Sequence, residues 1–219
     1  MNTESFTNLF WRQYVALERE FLISTQYVTV SEDNYKTYSP AYQKLLLSIG
    51  SEVDVAIKSF CKEINAKYNG RRMDKHILFI EESEPSFFNS YVVVRENEEF
   101  SLFPWRVLMK NTPLWWQVYT AVKHNRVGVE SFGDDEKKDV FKYANLENTL
   151  HALAALYQVQ VHCFQKIAVA ENKHIQIPLP GSRLFMLKGE LWNDMPFWTD
   201  YAFWIEDGVC KVEFSNIYF

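Results

Sequence analysis

Apolar side chains recur at steps of three and four residues along two long stretches of the chain, which is the spacing of one helix face. The first stretch opens with Ser39-Pro40, a hydroxyl N-cap followed by proline in the first turn, and stops at Asn69-Gly70. The second follows Gly133 and carries acidic residues in its first turn, where the helix dipole favours them. The pattern predicts two long amphipathic helices, over 39–69 and 134–165, with their apolar faces in contact.

Shorter helices and two hairpins complete the predicted architecture. Helical spacing predicts a helix over 3–24 and another that Thr112-Pro113 opens and Gly128 closes. Strand-like segments flank polar turns at 96–99 and at Asp207-Gly208, and each arrangement is typical of a β-hairpin. The sequence thus predicts a mainly α fold, a helical bundle with two long amphipathic helices plus two β-hairpin additions.

Length and composition favour a single globular domain. The 219 residues are 47% apolar and 16% aromatic, with seven Gly and seven Pro, so the chain can bury a sizeable core. We expect one domain over 1–219, in which 176–219 is a C-terminal β-containing extension packed on the helices. The first residues lack a secretory signal pattern, and the three cysteines form no C-x-x-C pair, which favours a cytoplasmic protein with reduced thiols.

Charge and motif content exclude several classes of function. The formal net charge is −5 and no run of Lys and Arg exceeds two residues, so a broad duplex-DNA face is not expected, although a small basic pocket for RNA is possible. His151, His162 and Cys163 lack the spacing of metal ligands, and we predict neither a metal nor a cofactor. The uncharged stretch 148–165 contains His and Gln and is predicted to be a buried helix, with no membrane span.

The densest polar cluster, Lys123-His124-Asn125-Arg126, lies at the end of the predicted helix that Thr112-Pro113 opens. An imidazole can exchange a proton near neutral pH, and a guanidinium can bind a phosphate through two hydrogen bonds. Lys123, His124 and Arg126 are therefore candidate catalytic residues for phosphodiester chemistry. The alternative is structural, because basic residues at a helix C-terminus complement the dipole and cap the last carbonyl groups.

Two further sets of residues are candidates for binding. Glu52 and Asn145, with Asn148 one turn further on, border the apolar stripes of the long helices, and we hypothesise that Glu52, Arg126 and Asn145 form a polar network between helices. Such a network could instead only fix the helix register. Trp198 and Trp204, near Phe203, could form an exposed patch that binds a partner, or could pack within the hairpin.

The runs WWQVYTAVKHNR and YANLENTLHALAALYQ, preceded by YQKLLLSIGSEVDVAIKSFCK, resemble a pattern in bacterial helical proteins related to the abortive-infection and HEPN (higher eukaryote and prokaryote nucleotide-binding) families. The resemblance falls within 40–165, about three fifths of the chain. It implies a helical bundle, frequently dimeric, from a toxin–antitoxin or phage-defence system. Active members are metal-independent ribonucleases that use an Arg followed, after four to six residues, by a His.

This chain departs from that arrangement. His124-Asn125-Arg126 has the reversed order and a short spacing, whereas Arg71 to His76 has the family spacing but follows the predicted helix stop. Arg72 also stands where the family usually has an uncharged or acidic polar residue. The leading hypothesis is therefore a non-catalytic or degenerate HEPN-like accessory subunit of a bacterial anti-phage defence or toxin–antitoxin complex, which contacts other protein subunits or a second copy of itself.

Two alternatives belong to other classes. One is a metal-independent HEPN-type ribonuclease with Lys123, His124 and Arg126 as its site. The other is a module that binds a small molecule or nucleotide between the long helices, where pockets form readily.

Overall fold

The computed structural model describes residues 1–107, 112–133, 136–173, 177–189 and 192, apart from the side chains of 98 and 99, and the backbone of 201–206 and 209–214. The chain begins with a helical segment that comprises α1 (Thr3–Phe6), a π-helical turn (Thr7–Trp11) and α2 (Arg12–Ser24). The remaining elements are, in order, α3 (Pro40–Ile64), α4 (Met73–Ser83), α5 (Pro85–Asn89), β1 (Tyr91–Val94), β2 (Asn97–Leu102), α6 (Leu114–His124), β3 (Val129–Glu130), β4 (Lys138–Asp139), α7 (Leu146–Ala170), β5 (Phe185–Lys188), β6 (Tyr201–Glu206) and β7 (Val209–Phe214).

The fold is mainly helical with small antiparallel sheets, as the hydrophobic pattern predicts. β1 is the middle strand of the largest sheet and pairs with β2 on one side and β5 on the other. Val92 lies opposite both Leu102 and Leu187, and all three side chains are buried. β3 pairs with β4 and β6 pairs with β7. Because β5 joins β1, residues far apart in the sequence meet in one sheet.

The capping signal at Ser39 acts as predicted. The Ser39 hydroxyl accepts a hydrogen bond from the backbone N–H of Tyr42 at 3.1 Å, and Pro40 occupies the first turn of α3. The predicted end of this helix at residue 69 is wrong, because α3 stops at Ile64. Asn65 has an extended backbone, and its side-chain oxygen accepts a hydrogen bond from the N–H of Lys67 at 3.0 Å. This local turn competes with the helix and ends it early.

The predicted start of the second long helix at residue 134 is also wrong. Asp134 and Asp135 lie outside the described residues, β4 and a 3₁₀ turn over Val140–Tyr143 follow them, and α7 begins only at Leu146. The Asn145 side chain caps α7 by accepting a hydrogen bond from the N–H of Asn148 at 3.0 Å. An asparagine in extended conformation is one of the strongest N-caps, so it sets the boundary in place of the upstream acidic residues.

α7 is the central helix of the core. It packs along α3 and also contacts α1, α2, α6, β1 and β5. Every residue from Ala152 to Phe164 is buried, including the polar residues Gln158, Gln160 and His162. Over this segment α7 is therefore covered on all sides, as predicted for the uncharged stretch 148–165. Within the described chain, no helix combines the length and the apolar composition that crossing a bilayer requires.

Two of the buried polar residues of α7, Gln158 and His162, bind the end of α5 and Ser90, which follows it. Gln158 donates from Nε2 to the carbonyl oxygen of Phe87 at 2.8 Å and to Ser90 Oγ at 3.0 Å. His162 Nε2 lies 2.9 Å from Ser90 Oγ. Burial lowers the pKa of His162 to about 3, so the imidazole is neutral in the folded protein at neutral pH.

The neutral state of His162 predicts a pH dependence of stability. The ordinary pKa of 6.5 applies to the unfolded chain and a pKa of about 3 to the folded chain, so the unfolded state binds more protons between these values and the free energy of unfolding falls as the pH is lowered. We expect His162 to account for about 2 to 3 kcal/mol of this fall between pH 6.5 and pH 4.5. Denaturant unfolding at a series of pH values measures it.

The control for this pH dependence is a variant that cannot titrate at residue 162. His162→Gln keeps a polar side chain, so it should flatten the curve relative to the wild type. His151, whose pKa burial lowers to about 4, contributes with the same sign and remains in this variant. Identical slopes in the wild type and in His162→Gln would show that His162 is not the titrating group.

Candidate functional site

A polar cleft of about 610 Å³ lies between α3, the residues at the start of α4 and one face of α6. We call it the basic cleft, and its lining is Ser51, Asp54, Arg71, Arg72, Met73, Asp74, Thr112, Trp116, Tyr119, Thr120, Lys123 and His124. Its volume is in the range of pockets that hold a small ligand. Three segments that are distant in the sequence therefore contribute to one concave surface.

The α6 side of the basic cleft is a single helical stripe. Trp116, Thr120 and the pair Lys123-His124 follow one another at steps of three and four residues and project from one face. The opposite face, which includes Trp115 and Val122, is buried in the core. The amphipathic pattern of α6 thus places its polar residues in the basic cleft.

Gly50 on α3 determines how closely α6 approaches. A Cβ atom at residue 50 would lie 2.3 Å from Cδ2 of Tyr119, which is far inside the contact distance of two carbon atoms. The missing side chain lets the Tyr119 ring lie directly against α3. Lys123 Nζ donates to the Tyr119 hydroxyl at 3.2 Å and lies 5.4 Å from the ring centroid. Gly50 therefore positions Lys123 through Tyr119.

Both carboxylates of the basic cleft already have a cationic partner. The Arg72 guanidinium donates to both carboxylate oxygens of Asp74, at 3.0 and 2.9 Å, and Asp54 forms an ion pair with Lys58. By contrast, Arg71 and Lys123 are exposed and have no ion pair with any described residue. Two positive charges are thus available to an anion in the basic cleft.

The structure brings Lys123 and His124 into the basic cleft but leaves Arg126 out of its lining. α6 ends at His124, and Asn125 leaves the helical path as its side chain donates to Glu130 at 2.8 Å. The chain then turns, with the N–H of Gly128 bonded to the Asn125 carbonyl oxygen at 2.9 Å. Arg126 is exposed in this turn, so its spacing from Lys123 no longer follows the helix.

The hypothesised network of Glu52, Arg126 and Asn145 does not form in the described structure. Asn145 and Asn148 are buried and bond to each other, with Asn148 Nδ2 3.1 Å from Asn145 Oδ1, as part of the α7 cap. Glu52 is half-buried on α3, and burial raises the pKa of its carboxyl group. Since Arg126 is exposed, it needs no carboxylate partner to compensate for burial.

The Arg71 to His76 pair is divided by the start of α4. Arg71 lines the basic cleft, whereas His76 is fully buried with Nδ1 2.8 Å from the Tyr68 hydroxyl. Burial, with a further contribution from the Lys58 charge, lowers the pKa of His76. The residues that share the spacing of the HEPN ribonucleases therefore do not share one site here.

Sequence reasoning missed the contribution of Arg71, Arg72 and Asp54 to the site that holds Lys123. The repeating polar positions on α6 could have indicated the stripe, but its pairing with α3 and α4 is a tertiary contact. Trp198 lies outside the described residues, and only the backbone of Trp204, in β6, is described, so the predicted aromatic patch stays a prediction. In the part of the chain that the structure describes, no group of three or more His, Cys, Asp or Glu side chains could hold a metal ion.

Neither a protein-family model, nor a curated protein, nor a solved structure matches this chain. The resemblance of residues 40–165 to the HEPN families is therefore still a prediction. The geometry and charge of the basic cleft are the observations on which a function can be argued.

Proposed function

We propose that the chain binds RNA through its phosphate groups at the basic cleft, as a HEPN-like helical subunit of a bacterial defence or toxin–antitoxin assembly. The observation that supports RNA binding is the convergence of Arg71 and Lys123 on one cleft, each without a carboxylate partner among the described residues. Arginine and lysine are the side chains that bind phosphate groups in proteins. Because the whole chain is acidic, with a net charge of −5, this local excess of positive charge is a specific feature.

The size of the basic cleft favours a local contact over a long duplex. A duplex-binding protein presents a stripe of Lys and Arg that follows the phosphate backbone, whereas here the free cations lie in one concavity of about 610 Å³. The assembly role rests on the resemblance of residues 40–165 alone. Contacts with other subunits or with a second copy, and the loss of catalysis, belong to that part of the proposal.

Removal of Arg71 and Lys123, the two cationic side chains of the basic cleft without a carboxylate partner among the described residues, should weaken RNA binding. We expect Arg71→Ala and Lys123→Ala each to lower affinity several-fold and the double variant about tenfold or more, with the salt slope reduced by about one for each lost phosphate contact. Fluorescence anisotropy with a labelled 2′-O-methyl RNA measures this without strand cleavage. Lys44→Ala is the matched control, because Lys44 is exposed, is not in the lining of the basic cleft and pairs with Glu20 at 3.2 Å. Equal affinities for the wild type and all four variants would exclude the basic cleft as the binding site.

A metal-independent ribonuclease is the second candidate function. His124 is exposed next to Lys123 in the basic cleft, so a group that can transfer protons and a free cation share one site. In such a reaction the 2′-hydroxyl loses its proton to a base and attacks the adjacent phosphorus, the bond from phosphorus to the 5′-oxygen breaks, and that oxygen takes up a proton. A 2′,3′-cyclic phosphate and a 5′-hydroxyl remain. With Arg126 outside the lining, Arg71 is the guanidinium that could stabilise the charge on the phosphoryl oxygens.

A further inference from the structure

Trp116 connects the hydrophobic core to the lining of the basic cleft. Its indole is partly buried and packs edge-on against Trp115, with ring centroids 5.7 Å apart and an interplanar angle of 87°. It also contacts the Tyr119 ring at a centroid distance of 4.9 Å. Two neighbouring rings therefore hold the indole in place while part of its surface faces the basic cleft.

The distance between Trp116 and Lys123 limits which chemical groups a ligand can use to contact both side chains. Trp116 and Lys123 lie on the same stripe of α6, two helical turns or about 10 Å apart. Thr120 lies between them, and its hydroxyl donates to the carbonyl oxygen of Trp116 at 2.9 Å, so it is already bonded to the helix. A ligand that contacts both ends of the stripe needs a flat apolar group at one end and an anion at the other.

A nucleotide with an unpaired base meets both requirements. We infer that the basic cleft takes single-stranded RNA, with one unpaired base stacked on the Trp116 indole and the backbone phosphates at the Lys123 end, an inference that rests on the proposed function. Proteins bind single strands by combining a positive groove with aromatic side chains on which bases stack. In a duplex the base is already stacked and paired, so it is not available to Trp116.

The test distinguishes the contribution of the base to binding affinity from the contribution of the phosphates. Three labelled probes of equal length are compared by fluorescence anisotropy: a single-stranded 2′-O-methyl RNA, the same backbone without bases, and the RNA duplex. We expect Trp116→Leu to weaken binding of the single strand about 5- to 100-fold and to leave binding of the base-free strand unchanged. We also expect the wild type to bind the single strand at least tenfold more tightly than the duplex.

Because Trp116 also contacts the core, a second variant controls for folding. Trp116→Phe keeps an aromatic ring in the same place and should retain binding of the single strand within about threefold. The stacking inference is overturned if Trp116→Leu loses the same affinity for the single strand and for the base-free strand. It is also overturned if the variant binds both strands as the wild type does. Failure of the proposed function is a different result, in which the Arg71→Ala/Lys123→Ala double variant binds every probe as the wild type does.

Discussion

Replacement of Glu18 by alanine lowers the free energy of unfolding by about 3 to 5 kcal/mol, because it leaves several buried donors without an acceptor. Glu18 is only 2% exposed on α2. Its carboxylate accepts hydrogen bonds from the Tyr14 hydroxyl at 2.7 Å, from Ser182 Oγ, and from the backbone N–H groups of Arg183 and Leu184, each at 3.1 Å. Each unsatisfied buried donor costs about 1 to 3 kcal/mol.

The protonation of the Tyr14 hydroxyl agrees with its role as a hydrogen-bond donor to Glu18. Burial, and secondly the negative charge of Glu18, raises the pKa of Tyr14 well above its ordinary value, so the phenol stays protonated and remains a donor. Every group that faces the carboxylate is thus a donor. A glutamine at residue 18 would turn an amide N–H₂ toward one of them, so Glu18→Gln should also be destabilising, although less than Glu18→Ala.

Glu20 provides the matched control on the same helix. Its carboxylate is exposed and pairs with Lys44 at 3.2 Å, an arrangement that contributes at most about 1 kcal/mol. Urea unfolding of Glu18→Ala and Glu20→Ala compares the two positions, and a shift in midpoint at constant slope identifies a change in stability. Equal losses in the two variants would contradict the role assigned to the buried carboxylate.

If the chain cleaves RNA, His124→Ala should lower the rate by roughly 10²- to 10⁴-fold, the usual contribution of a positioned proton-transfer group. His124 is exposed and lines the basic cleft beside Lys123. The reaction should proceed in the presence of EDTA and leave 2′,3′-cyclic phosphate ends. Analysis of the product ends on a labelled RNA measures both the rate and the chemistry.

Arg126→Ala is the control for this experiment. Arg126 belongs to the same short sequence cluster but is not in the lining of the basic cleft, so its loss should leave cleavage unchanged. A wild-type protein that leaves RNA intact, alone or with its partners, removes the ribonuclease candidate. RNA binding at the basic cleft is then tested independently by the variants of Arg71 and Lys123.

Features that depend only on residues adjacent in the sequence could be predicted. The start of α3 is one example, because Ser39 and Pro40 act on the first turn that follows them. The predicted start of α7 at residue 134 is wrong, because Asn145, and not the acidic residues after Gly133, caps this helix. The absence of charged residues over 148–165 predicts the burial of α7, but the sequence does not show that Gln158 and His162 pair with Ser90.

Only the part of the candidate site that lies within one short segment of the sequence could be predicted. Lys123 and His124 belong to one turn of α6, and their residue types indicate phosphate chemistry. Arg71 joins them only because α3, α4 and α6 pack together, and that packing requires the absence of a side chain at Gly50. A close approach of this kind depends on the residue it faces, Tyr119, which the sequence does not identify.

The hydrogen bonds of Glu18 also bear on the order in which this protein acquires its structure during translation. Three of the groups that donate hydrogen bonds to the carboxylate follow it by 164 to 166 positions in the chain. The amino-terminal helix therefore completes its buried hydrogen bonds only after the ribosome has added residues 182–184.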